Sequence, residues 1–299
     1  MSLLVVGSIA LDSVETPSGK VEEVLGGSAT YFSYAASFYT KVRLVGVVGD
    51  DFPPEHRELL KSRNVDIAGL EVSRGKTFRW RGSYEGAMNA ATTLDVQLNC
   101  FGEFEPKIPE AFRDSEYVFL ANCSPRLQKS VLSHVKSPKL VMCDTMNFYI
   151  DTERKELIDL LGRVDGFIIN DAEAAQLTGK HNLVSAGRTI LGYGPRFVVI
   201  KKGEHGAMLM DNQSIFCIPA FPLEEVVDPT GAGDSFAGGM MGHLSGSGKR
   251  DIAALKRALA FGTVIASFNV QGFSLSKFRS IDTSDIEKRF SDFAEMMRF

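Results

Sequence analysis

The chain has 299 residues, 44% hydrophobic and 23% charged, with 33 Lys+Arg against 37 Asp+Glu and a formal net charge of -4. That length fits one large α/β domain or two smaller ones, and the slightly acidic balance speaks against a general nucleic-acid binder. Cys100, Cys123, Cys143 and Cys217 stand far apart, with no CxxC pair and no clustering with the five histidines, so neither a structural zinc nor a disulfide framework is expected.

Met1-Ser2-Leu3 leads straight into an apolar run, Leu3 to Val6, that ends at Gly7. This is the pattern of a strand buried on both faces rather than of a signal peptide. The apolar runs are too short to span a bilayer, so a reduced, cytoplasmic protein with no membrane partner is expected. Asp12 follows the strand closely, where open α/β sheets bind ligands; an ordinary loop aspartate is the plain alternative. Ser13 to Val24 alternates on either side of Pro17-Ser18-Gly19 and suggests a hairpin. Gly26-Gly27 precede a helical run through Phe38, either for close packing or for approach of the backbone to a ligand. Val42 to Val48 reads as a strand and Glu55 to Arg63 as a short amphipathic helix. From Lys76 to Leu98 the β-formers Phe78, Trp80, Tyr84, Thr92, Thr93 and Val96 suggest two pieces of a small antiparallel sheet. Its aromatic residues pack that sheet, or else Trp80 or Phe78 faces the pocket and stacks on a ring.

Strands and helices then alternate as in βαβ units with a parallel sheet. Strands are expected at Tyr117 to Ala121, Leu140 to Cys143, Gly166 to Ile169 and Phe197 to Lys201. Helices fall between them at about Arg126 to His134, Thr152 to Leu161 and Asp171 to Leu177. Asn122 and Asp144 each lie just past a strand end. Asn170-Asp171-Ala172-Glu173 opens a helix that Asn170 or Asp171 is suited to cap. Lys201-Lys202-Gly203-Glu204-His205-Gly206 follows a strand, and two lysines there are ordinarily solvated charge. Asp251 to Val270 reads as a long helix, and Thr283 to Met297 as an amphipathic closing one.

Between these lies Val226 to Gly242, VVDPTGAGDSFAGGMMG. Asp228-Pro229 favours a turn, Gly231-Ala232-Gly233 is a glycine turn, and small residues continue as a helix. Free N–H groups where such a turn opens a helix, helped by the helix dipole, form a cradle for phosphate. Asp234 stands at its mouth, where a carboxylate can take the proton of an incoming hydroxyl. A bare GxG followed by Asp is also a common structural turn. The full string DPTGAGDSFAGG, however, resembles the C-terminal signature of the ribokinase-like (PfkB) family of sugar and nucleoside kinases. Other stretches match in the family's order. They are Gly7-Ser8-Ile9-Ala10-Leu11-Asp12, the Gly26-Gly27 pair, Gly49-Asp50-Asp51-Phe52 with Pro53 in place of the usual glycine, the NxxE group Asn170 to Glu173, and the Lys201 to Gly206 turn. The resemblance runs from Gly7 to Ser276.

The resemblance implies a ribokinase-like three-layer α/β sandwich around a mostly parallel sheet, a single kinase domain over residues 1–299. A small antiparallel β lid from about 13–24 and 76–98 would close over the substrate and serve as a homodimer contact, as in several members. It implies ATP and Mg2+ as cofactors and Asp234 as the catalytic base, with Gly231, Ala232 and Gly233 around the transferring phosphoryl group. Asp12, Gly26, Gly27, Tyr31 and Asn122 would face the substrate, and Lys201, Gly203 and Gly206 the ATP phosphates. Asn170 and Glu173 would organise Mg2+, largely through water, as suits that ion. The long helix and its exit, Val270 to Ser276, would wall the adenine site. In monovalent-cation-dependent members K+ would be held, by register, at Asp228, Thr230, Ser267, Gly272 and Ser276. Two departures speak against ribose itself: Tyr31 where many members carry asparagine, and Asn122 where ribokinases carry glutamate. The expected activity is ATP-dependent phosphorylation of a hydroxyl, a primary CH2OH, on a small sugar or sugar derivative. A nucleoside kinase and a non-catalytic sugar- or nucleotide-binding regulator are the alternatives.

Overall fold

The structure is a computed structural model that describes residues 1–298. Its first strand, β1 (Leu3–Val6), is fully buried. The hairpin β2 (Ala10–Thr16) and β3 (Gly19–Gly26) leads into α1 (Ser28–Ala36), and β4 (Val42–Gly49), α2 (Pro54–Ser62) and β5 (Val65–Ser73) follow. After β6 (Phe78–Ser83) and β7 (Thr92–Gln97) come β8 (Tyr117–Leu120), α3 (Pro125–Leu132) and β9 (Leu140–Cys143). The chain continues through α4 (Asn147–Thr152), α5 (Arg154–Leu161), β10 (Gly166–Asn170), α6 (Asp171–Thr178), α7 (Leu183–Leu191) and β11 (Phe197–Lys201). It closes with β12 (Ala207–Asp211), β13 (Ile215–Ile218), α8 (Ala232–Ser247), α9 (Ile252–Asn269) and α10 (Thr283–Met296).

The main sheet has nine strands in the order β13-β12-β11-β10-β9-β8-β1-β4-β5. Only β12 and β13 run antiparallel to their neighbours; every other pairing is parallel. Alternation along the central strands feeds two cores. Leu3, Val5, Phe119, Met142, Ile168 and Val199 face α1, α8 and α9. Leu4, Val6, Leu120, Val141, Ile169 and Ile200 face α3, α5, α6 and α7. A sheet covered on both faces needs apolar residues at every position, which is why these strands read as continuous runs.

Among the described residues α9 is the one helix long and apolar enough to cross a bilayer, a length the apolar runs had not suggested because Lys256 and Arg257 interrupt it. Most of it is buried, packed on α8 as a core helix.

A second sheet has the order β3-β2-β6-β7. Its outer pairings are antiparallel hairpins, while the middle pairing of β2 with β6 is parallel. The chain reaches β6 only after passing through the main sheet, and that long crossover leaves either strand direction open. Asp51 clamps the base of β6: it accepts from the Thr77 N–H and hydroxyl, both at 2.7 Å, and pairs with Arg79 at 2.8 Å. The β2–β3 hairpin is stitched to the segment before α8, Thr16 donating to the Val227 carbonyl at 2.8 Å and Ser18 to that of Val226 at 3.5 Å.

Candidate active site

The strand ends and α8 bring most of the expected residues to one place. Gly231 takes φ +74°, and a Cβ there would lie 2.4 Å from the Tyr31 ring, so both conformation and space reserve the position for glycine. The Ala232 N–H turns back onto the Pro229 carbonyl at 3.1 Å. Of the turn's expected amides, Ala232's is therefore spent on the turn itself. Those of Gly231 and Gly233 make no backbone hydrogen bond among the described residues. Lys201, at the end of β11, lays its ammonium against Gly233, where a Cβ would come within 2.6 Å of Nζ.

Asp234 lies in the first turn of α8. Burial pushes its carboxyl up to about 6, against the pull of Lys201. Glu173 is raised by burial and likewise held down by Lys201. Asp144 joins them: it is raised well above the usual range by burial and then by Asp234, and its Oδ1 has no hydrogen-bond partner. One ammonium thus faces three carboxylates, an arrangement short of positive charge. Asp144 had been noted only as a residue past a strand end; its signal was that it follows the fully buried strand β9 directly.

The Asn170 to Glu173 group forms a complete capping box on α6. Asn170 Oδ1 accepts from the Glu173 N–H at 2.7 Å, and Glu173 Oε2 accepts from the Asn170 N–H at 2.9 Å. That leaves one glutamate oxygen for the cluster with Lys201. Gly203 and Gly206 shape the short turn after β11, at the same end of the sheet.

On the other side of Asp234 is Asp12, 4% exposed, whose Oδ2 accepts from the Gly27 N–H at 3.3 Å. Burial, then Asp228 and Asp234, raise it to about 7, against the Gly27 bond. Gly26 lies so close that a Cβ would overlap the Asp12 carboxylate. Tyr31 is 1% exposed, its hydroxyl unpartnered beside Asp12 and Asp228. Tyr84, which sequence reasoning had counted only as a β-former, reaches from the second sheet to Thr230 Oγ1 at 3.4 Å. Asn269, also missed, donates to the Thr230 carbonyl at 2.8 Å and accepts from Ser235 at 2.9 Å, tying the end of α9 to the start of α8.

The remaining expected residues have contacts of their own. Asn122 places its amide 3.2 Å from Met146 Sδ, with Oδ1 unpartnered. Of the five residues named for K+, Asp228 and Thr230 belong to the cluster, and Asp228 Oδ2 is buried without a partner. The Ser267 hydroxyl is engaged by Arg289 at 3.0 Å and the Val264 carbonyl at 2.6 Å, while Gly272 and an exposed Ser276 lie against each other.

Comparison with known proteins identifies the family and the fold. The family model described as pfkB family carbohydrate kinase matches residues 2–280. A cytidine kinase of Thermococcus kodakarensis is 33% identical, the match covering 82% of this chain and 89% of that protein. A nucleoside kinase of Methanothermobacter thermautotrophicus is 27% identical over 97% of this chain and 95% of its own. The fold is that of a putative ribokinase II from E. coli solved with ATP and Mg2+, at TM-score 0.80, 18% identity and coverage of 97% and 99% of the two chains. A nucleoside kinase of Burkholderia thailandensis, solved with inosine, has TM-score 0.76, 18% identity and coverage of 97% and 98%. The chain belongs to the pfkB family of carbohydrate kinases, with a ribokinase-like fold and the activity of an ATP-dependent phosphotransferase acting on a hydroxyl of a sugar or nucleoside.

Proposed function

We propose that the acceptor is a nucleoside, phosphorylated on its 5′-CH2OH. The observation that carries this reading is the 33% identity to a cytidine kinase across most of both chains. The pocket supports it: Tyr31, in place of an amide, narrows the space a free sugar would turn in, and Tyr84 adds a second ring beside Asp12.

In this reading Asp12 and the Gly27 backbone orient the ribose hydroxyls. Asp234 accepts the proton of the 5′-hydroxyl, its raised basicity suiting it to work near neutral pH. The Gly231 and Gly233 amides, with the Lys201 ammonium, take up charge building on the transferring group. ATP would supply the phosphoryl group, and Mg2+ the counter-charge that the three carboxylates around Lys201 otherwise lack. The donor set fits the ion: Glu173 keeps one oxygen free of its cap, and Asp144 Oδ1 is a buried oxygen with nothing to bind.

The second sheet acts as the lid. Its edge strand β7 is exposed throughout, with Leu94 and Val96 about half exposed. A homodimer through this edge belongs to the same proposal, and sedimentation equilibrium showing only monomer counts against it. A cytoplasmic location is part of it too, consistent with four free thiols.

The test is a coupled ADP-release screen of nucleosides and free sugars with Mg-ATP. Turnover of a nucleoside, cytidine first, with far higher kcat/KM than for ribose is expected. Efficient turnover of a free sugar and none of any nucleoside would overturn the assignment.

A further inference from the structure

The single tryptophan of the chain, Trp80, lies in β6 directly opposite Asp12 in β2. Residues paired in parallel strands send their side chains to the same face of the sheet. That face is the inner one: Ala10, Asp12 and Val14 on it are 0%, 4% and 1% exposed. Of the two aromatics that β6 carries there, Phe78 is used up in packing, stacked on Phe101 with ring centroids 5.4 Å apart. Trp80 is not. It is only half-buried, and among the described residues no other ring stacks on it.

Its orientation is fixed by two neighbours on the same face. The indole lies flat across Gly82, where a Cβ would come within 2.3 Å of its six-membered ring. Its Nε1–H donates to Thr93 Oγ1 on β7 at 3.3 Å, so the polar edge is satisfied within the sheet. An indole pressed flat on one side and pinned at its edge has one π-face left. Two residues beyond Gly82, Tyr84 reaches Thr230 beside Asp228, at the acceptor end of the cluster.

We infer that Trp80 is the platform on which the base of the nucleoside stacks. Resting on the reading above, this adds a specificity determinant that separates nucleosides from free sugars. With the ribose hydroxyls at Asp12 and the 5′-oxygen at Asp234, the base extends along the lid face that Trp80 lines. Gly82 then has a role of its own: any side chain there lifts the indole off the strand and spoils the platform. Stacking needs only a π-face, so the platform tolerates different bases, and exclusion of one base over another falls to other groups.

Because Trp80 is the only tryptophan, its emission reports on this one position. Titration of the wild-type protein with cytidine, excited at the red edge of the indole band, is expected to quench the emission saturably, with a midpoint near the kinetic KM. In Trp80→Ala the KM for cytidine is expected to rise about 5- to 150-fold, the range for loss of one base–aromatic stack. Trp80→Phe, which keeps a flat ring, should stay within a few-fold of wild type. Nucleoside turnover with emission unmoved at saturating cytidine, or with an unchanged KM in a folded Trp80→Ala, overturns the platform and leaves the nucleoside-kinase reading standing. Failure of the wild type to turn over any nucleoside removes both. Should Trp80→Ala not fold, the wild-type titration still decides.

Discussion

Asp12 holds a carboxylate in a place where only one backbone N–H answers it, and burial with two acidic neighbours raises it to about 7. An acid whose folded-state value lies above its unfolded one binds more protons when folded, so its burden on stability appears as pH rises from about 4 towards 7 and is full above that. The ligand-free protein should therefore be less stable at pH 8 than near pH 5.5 on account of this group. Asp12→Asn, which keeps an acceptor for the Gly27 N–H, should stabilise it at pH 8 by up to about 4 kcal/mol, from roughly three pK units, while sharply weakening acceptor binding. Urea unfolding of both proteins at the two pH values checks this; a variant no more stable than wild type at pH 8 contradicts it. The site thus keeps a destabilising charge for function, a common trade.

Among the elements, α3 contributes more than a crossover. Its Gln128, 1% exposed, places its amide nitrogen 2.9, 3.3 and 3.1 Å from the carbonyls of Leu120, Ala121 and Asp144. One side chain so clasps the ends of β8 and β9 and fixes the backbone that carries Asp144. Gln128→Leu strips buried carbonyls of their donor and should cost about 1 to 3 kcal/mol. It should also raise the Mg2+ concentration for half-maximal activity several-fold, because Asp144 loses its anchor. A variant that is destabilised but has an unchanged Mg2+ requirement would show the clasp to be structural only. Most elements were legible because their patterns were strong: buried runs for β1, β4 and β8 to β11, and the caps and periodicity of α6, α9 and α10. The expected helix from Thr152 to Leu161 breaks at Glu153, which receives the Ser124 hydroxyl at 2.8 Å and separates α4 from α5. Missed altogether were α7, whose Ser185, Gly187 and Thr189 favour helix weakly, β12, whose Ala-Met-Leu-Met-Asp carries no strong strand former, and β13, whose Ile215-Phe216-Cys217-Ile218 favours a strand but is only four residues long. Their local signals, the Asn182 cap of α7 and the β-formers of β13, are short, and packing on β11 and its neighbours completes them.

At the scale of the whole molecule, the candidate active site is a meeting of two distant halves. The small sheet brings Asp12, Trp80 and Tyr84; the main sheet and α8 bring Asp144, Glu173, Lys201 and Asp234. The loop between β6 and β7 spans both, with Tyr84 on Thr230 at one end and Asn89 donating to Glu204 at 3.1 Å at the other. The glycine turn and Asp234 were readable because a cradle and base need a contiguous string. Asp144, Tyr84 and Asn269 were not, since each is defined by partners 34 or more residues away, or by a burial that only the fold creates. Asp234 is the residue on which the proposed transfer depends most. Measured with Mg-ATP and saturating nucleoside, Asp234→Asn should retain ATP binding while kcat falls by roughly 10² to 10⁴, the range for loss of a general base. Near-normal kcat in a folded, ATP-binding Asp234→Asn protein would contradict the assignment of Asp234 as the base.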